Sequence, residues 1–152
     1  MALVRTDDPL LRRTAWLMLV TDVGFLVYWA LIAARALPAE QMFANYDDPF
    51  VAAWNWSFLP LDVLASLTGF VALRALHLGR SGAPVLLAIS LTLTATAGGM
   101  ALAFWTLTGD FELSWWVPNA YLLLFPLPLL LRLVRQPLRA PDIRQLTQHP
   151  SQ

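Results

Sequence analysis

Four long apolar stretches constrain this chain more than any other feature. They run from about Thr14 to Ala34, Phe50 to Leu73, Pro84 to Leu107 and Trp115 to Leu131. A bilayer core about 30 Å thick needs about 20 mostly apolar residues per crossing helix, and each stretch comes close to that length. Apolar residues make up 58% of the 152 and charged residues 13%, against about 25% charged in an ordinary soluble domain. A soluble helical protein with a large apolar core is the alternative, but so short a chain has no core big enough to hide this surface. The reading is an all-α integral membrane protein. Residues 14–131 form a four-transmembrane-helix bundle, flanked by an N-terminal segment of residues 1–13 and a tail of residues 132–152.

The arginines orient it. Arg5, Arg12, Arg13, Arg74, Arg80, Arg132, Arg135, Arg139 and Arg144 fall on one side of a four-span arrangement, and Arg35 falls on the other. The far side carries Glu40, Asp47, Asp48, Asp110 and Glu112. Cytoplasmic loops carry the excess of basic residues, so both termini are expected in the cytoplasm, with the bundle in the plasma (inner) membrane. Span one has a small-x-small spacing at Ala34-Arg35-Ala36, as at a signal cleavage site. Its apolar run is longer than a signal core, however, and Asp22 interrupts it. Trp54, Trp56, Trp115 and Trp116 lie where spans two and four enter from outside, a level that amphipathic rings favour. Anchoring is the simpler role for these rings, and contact with a ligand is the alternative. The arginine- and proline-rich tail reads as a flexible segment near anionic headgroups.

Asp22 and Asp62 carry the most information about function. Each lies well inside its span, where an aspartate costs about 2.5–3.5 kcal/mol on insertion scales. Such residues face a bundle interior or a wet cavity and are candidate functional groups. Counted from the cytoplasmic ends of their spans, their depths are about 12 and 16 Å at 1.5 Å per residue. Antiparallel neighbours can therefore set both carboxyls around one cavity; equally, each can lock the bundle by bonding a neighbouring helix. Asn55 shares a helical face with Asp62 and Ser66. Asn119, Tyr28, Trp29 and Trp56 reach a similar level. Asp22, Asp62, Asn55, Asn119, Tyr28 and Trp56 are thus the expected ligand-binding set, although intramembrane asparagines more often join helices.

Pro60 frees the carbonyl of Trp56 and is expected to kink span two beside Asp62. Pro118 is expected in the first turn of span four, with Pro126 and Pro128 loosening its cytoplasmic half. Span three has no charge. Its small-residue stripes, Ser90-Thr94-Gly98 and Ala95-Gly99-Ala103, suit close helix packing inside the bundle or against a second copy.

Several chemistries lack their residues. The chain has no cysteine, so thiolate metal sites and cysteine nucleophiles are excluded. His77 and His149 both lie outside the spans, no nucleotide fingerprint appears, and no metal or cofactor is expected. Zero net charge gives no nucleic-acid footprint. The expected partners are membrane lipids, a hydrophobic small molecule and a second copy of the chain.

The stretch Trp54-Asn55-Trp56-Ser57-Phe58-Leu59-Pro60-Leu61-Asp62, with Thr21-Asp22-Val23-Gly24-Phe25 before it and Trp115-Trp116-Val117-Pro118-Asn119 after it, resembles the bacterial YvaD-like family of small multi-span proteins. The resemblance implies four spans and supplies no activity. Asp22 and Asp62 also look like the paired acids of the emopamil-binding and sigma-2-like bundles, which line a lipid or amine cavity. The catalytic histidine and glutamates of the sterol isomerases in that group have no match here. Likeness of fold does not confer function.

The reading carried forward is a non-enzymatic membrane protein. It binds or senses a lipid-like or hydrophobic amine ligand in a midplane pocket anchored by the two aspartates. A structural or accessory subunit and a proton-coupled small-molecule transporter are the alternatives. Lipid enzymology is weakest, because a carboxyl pair without nucleophile or metal is thin support for it.

Overall fold

The computed structural model describes residues 8–36 and 47–135. Arg5, Glu40, Arg139, Arg144 and His149 lie outside the described residues, as do residues 1–7 of the expected N-terminal segment and the tail from residue 136. The regular structure among the described residues is helical: α1 (Pro9–Ala33), α2 (Pro49–Trp56), α3 (Leu59–His77), α4 (Ala83–Thr108), α5 (Leu113–Leu124) and α6 (Leu127–Arg135). With α2–α3 and α5–α6 each counted as one broken helix, four helices are long and apolar enough to cross a membrane.

Local chemistry sets the ends. Asp8 caps α1 by accepting from the amides of Leu10 at 3.0 Å and Leu11 at 3.3 Å, with Pro9 in the first turn. Asp48 and Pro49 repeat the device at α2, with the Phe50 amide at 2.7 Å. Aspartate satisfies otherwise orphaned amides there, and proline has no amide to orphan. The first helix therefore starts ahead of the apolar run, at Pro9 rather than near residue 14. At the other extreme, α4 stops on Gly109, whose φ of 73° is the left-handed conformation that glycine adopts freely.

Two prolines break the long helices. Pro60 offers no N–H to the Trp56 carbonyl, and the chain bridges the gap with tighter bonds, from the Ser57 amide to Trp54 O and from the Phe58 amide to Asn55 O, each 3.1 Å. The same absence at Pro126 separates α5 from α6. Pro118 differs from expectation. Helix α5 begins at Leu113, so Pro118 sits inside it and not in its first turn.

Helix α4 is the post of the bundle. It packs against α3, α5 and α6, while α1 packs against α3 and touches α6. At the foot, where α1 begins and α6 ends, Met18, Ala72, Leu87, Leu91 and Leu129 form one core. At the head, Trp29, Ile32, Phe58, Ala97 and Ala101 form another. The foot is also tied by a salt bridge from Arg132 to Asp8. Partial burial would raise the Asp8 pKa, but the amides of Leu11 and Leu10 and the Arg132 charge outweigh it and hold the carboxyl below its ordinary range. Outside the cores the surface stays greasy: Val20, Leu67, Val71, Met100 and Leu124 are all exposed.

Candidate functional site

Helices α1 and α3 run antiparallel and meet at two polar rungs. At the upper rung the Trp29 indole N–H donates to Asp62 Oδ2 at 2.9 Å. At the lower rung Asp22 faces Gly69; a Cβ on that glycine would collide with Asp22 Oδ2 and lie 3.0 Å from Ser90 Oγ. Trp29 follows Asp22 by two helical turns and Gly69 follows Asp62 by two, so the rungs are about 10 Å apart at 1.5 Å per residue. The two aspartates therefore occupy the same helix–helix seam at different levels, and they do not meet.

The lower rung is buried and tightly packed. Asp22, Ser66 and Ser90 are all 0% exposed. Ser66 spends its hydroxyl proton on the Asp22 carbonyl at 3.1 Å, and Ser90 spends its own on the Ala65 carbonyl at 3.0 Å. What these hydroxyls leave for the Asp22 carboxyl is lone pairs, and neither of its oxygens has a hydrogen-bond partner. Gly69 is the residue that sequence reasoning passed over here. Its signal was its place one turn beyond Ser66 on the Asp62 face.

The upper rung opens into a cavity of about 330 Å³ at the head of the bundle. Phe25, Tyr28 and Trp29 line it from α1, and Trp54, Asn55, Phe58 and Asp62 line it across the α2–α3 break. Ala97, Ala101 and Trp105 form its α4 wall, and Trp115, Pro118, Asn119 and Leu122 form its α5 wall together with Ser114. Small residues on α4 make the room. A Cβ on Gly98 would stand 2.5 Å from the Asn119 carbonyl oxygen, so this glycine draws α5 onto α4 just below the cavity. Of the two α4 stripes, Ser90-Thr94-Gly98 is internal.

The cavity wall is aromatic and interlocked. Trp54 stacks on Phe104 with ring centroids 3.8 Å apart, and Phe58 and Trp105 meet it edge-on at 4.8 and 5.5 Å. Tyr28 sits edge-on to Trp29 at 5.2 Å. Such contacts hold rings in place beyond their buried area. Trp105 was not anticipated, because span three reads as uncharged scaffold. It continues the Ala97–Ala101 face by one turn.

The expected ligand-binding residues divide. Asp62, Asn55, Asn119 and Tyr28 line the cavity. Trp56 does not; it is 42% exposed and tilts against Trp29. Asp22 lies outside the lining, in the seam below. Asn119 commits its amide N–H to the Trp115 carbonyl in its own helix at 2.7 Å. Tyr28 donates weakly to Asn55 Oδ1 at 3.4 Å. Two buried polar atoms of the lining residues have no partner, Asp62 Oδ1 and Asn55 Nδ2. No group of three or more metal-ligating side chains occurs among the described residues.

With this geometry in place, the comparisons with known proteins are informative about ancestry. Residues 14–140 match a family described as a family of unknown function, DUF5360. The chain is also similar to the uncharacterized protein YvaD of Bacillus subtilis (strain 168), at 46% identity over 109 residues, covering 72% of this chain and 82% of that one. No solved structure matches.

Proposed function

Because the chain belongs to the DUF5360 family, which prescribes no activity, we propose a function from the cavity itself: a four-span protein of the bacterial plasma membrane that binds or senses a hydrophobic small molecule, lipid-like or amine-bearing, at the head of its bundle. The observation that carries this reading is Asp62. It is 5% exposed, fixed by Trp29 on one oxygen and unpartnered on the other, in a cavity otherwise walled by rings and small residues. A buried polar atom without a partner costs about 1–3 kcal/mol, and a ligand group that reaches it recovers part of that cost. The volume lies within the range of small-molecule sites, about 300–1,000 Å³.

Orientation belongs to the same proposal. The foot carries Arg12, Arg13, Arg74, Arg80, Arg132 and Arg135, and the head carries Arg35 with Asp47, Asp48, Asp110 and Glu112. Arginine bias places the foot in the cytoplasm and the cavity toward the outer half of the membrane.

A screen of uncharged lipids and hydrophobic amines against detergent-purified protein, read by quenching of tryptophan fluorescence, tests the reading. Saturable quenching that Asp62→Asn weakens, in a protein that still melts cooperatively, supports it. Absence of saturable binding across both ligand classes would end it. Asp22, packed against Gly69 away from the cavity, favours a structural role for that one carboxyl.

A further inference from the structure

Resting on the binding reading above, we infer that the cavity selects a monovalent organic cation, an ammonium group with apolar bulk, held by the Asp62 carboxyl and the surrounding aromatic faces. Three observations converge on this class. The first is the charge inventory. The lining contains one carboxyl and no arginine, lysine or histidine, so nothing in the wall neutralises Asp62. The Trp29 indole satisfies one oxygen as a neutral donor at 2.9 Å and leaves Oδ1 bare. In a site of low polarity a carboxyl ionises only at a cost, and one opposite charge offsets that cost because Coulomb attraction is weakly screened there.

The second observation is the wall. Trp29, Trp54, Trp105, Trp115 and Tyr28 all line the same small space as Asp62. Ring faces attract cations through their quadrupole, tryptophan most strongly, and cages of such rings take quaternary ammonium groups. The rings are already locked by edge-on contacts with one another, so little side-chain freedom is lost when a guest arrives.

The third is the kind of cation such a wall admits. A small metal ion needs several oxygen ligands, and the lining supplies a single carboxyl, with Asn55 Oδ1 already accepting from Tyr28. An ammonium shielded by carbon needs one carboxyl oxygen and ring faces. A neutral lipid can fill the volume but brings the Asp62 carboxyl no opposite charge with which to ionise.

The test uses two molecules of the same shape, benzyltrimethylammonium and neopentylbenzene, in which carbon replaces the charged nitrogen. Full-length protein in uncharged detergent is titrated with each and followed by tryptophan fluorescence. The expected result is that the cation binds at least about tenfold more tightly than the hydrocarbon. Asp62→Asn should cut that preference severalfold while leaving hydrocarbon binding unchanged, and Asp22→Asn should leave both affinities unchanged. The wild-type comparison stands by itself if Asp62→Asn fails to fold, and Trp105→Leu then serves as the second variant, weakening the cation more than the hydrocarbon. Equal or tighter binding of the hydrocarbon overturns the cation inference and leaves the small-molecule reading intact. A cation preference that is undiminished in folded Asp62→Asn also overturns it. If neither molecule binds, both readings fall together.

Discussion

At the scale of single residues, the lower rung shows an acid packed into a helix–helix seam. Gly69 exists to admit Asp22: any side chain there meets Oδ2 first. Gly69→Ala is expected to destabilise the bundle by about 1–3 kcal/mol, the usual cost of overpacking. Adding Asp22→Ala should recover part of the loss. A double-mutant cycle on thermal melting checks the coupling, and additive effects would disprove the close approach. Asp22→Asn has the opposite expectation. Its amide brings the donor that the lone pairs of Ser66 and Ser90 lack, so the melting temperature should hold or rise. Both acids were legible in the sequence as costly groups inside apolar runs. Their separation was not, because similar depths from the span ends say nothing about the stagger of two helices along their seam. The packing of Asp22 on Gly69 and the Trp29–Asp62 bond together fix that stagger.

At the scale of elements, prolines and caps determine what the apolar pattern alone leaves open. Pro60 was readable as a kink, and the break it makes turns Trp54 and Asn55 toward the same space as Asp62. Pro60→Ala is expected to restore a continuous helix, raise the melting temperature and weaken binding of the cavity ligand. Calorimetry paired with a fluorescence titration separates the two effects, and unchanged affinity would deny the kink any role in the site. Pro118 was misplaced because nothing in an apolar run marks its first helical residue when the cap is a backbone group of Glu112. At the foot, Asp8 both caps α1 and pairs with Arg132. Its carboxyl titrates below the ordinary value near 4, so the unfolded chain takes up its proton first as pH falls. The stabilisation is therefore complete above about pH 4 and lost as acid passes through the lower folded value. Melting of wild type between pH 3 and 6 should show this loss, and Asp8→Ala should flatten it. Raised salt should weaken the Arg132 contribution, since the pair is partly exposed.

At the scale of the whole molecule, four helices of membrane-crossing length were legible from apolar run length alone, and the antiparallel seams agree with an alternating path. Which helix neighbours which was not legible, because four similar apolar faces carry no address; small residues at Gly69 and Gly98 supply it. The proposed orientation has a clean check, since the chain contains no native cysteine. Ser81→Cys in the α3–α4 turn should resist an impermeant maleimide applied to intact cells, and Glu112→Cys should react. The reverse pattern would invert the topology. The bracing of α1 carries a mechanical corollary. This helix is tied at its foot by Arg132, at mid-length to α5 by a Thr21–Tyr121 bond of 3.2 Å, and toward its head by the Trp29–Asp62 bond. At about 37 Å long by its rise per residue, α1 is a rail pinned at three stations, so the side it gives the aromatic chamber is held from both ends.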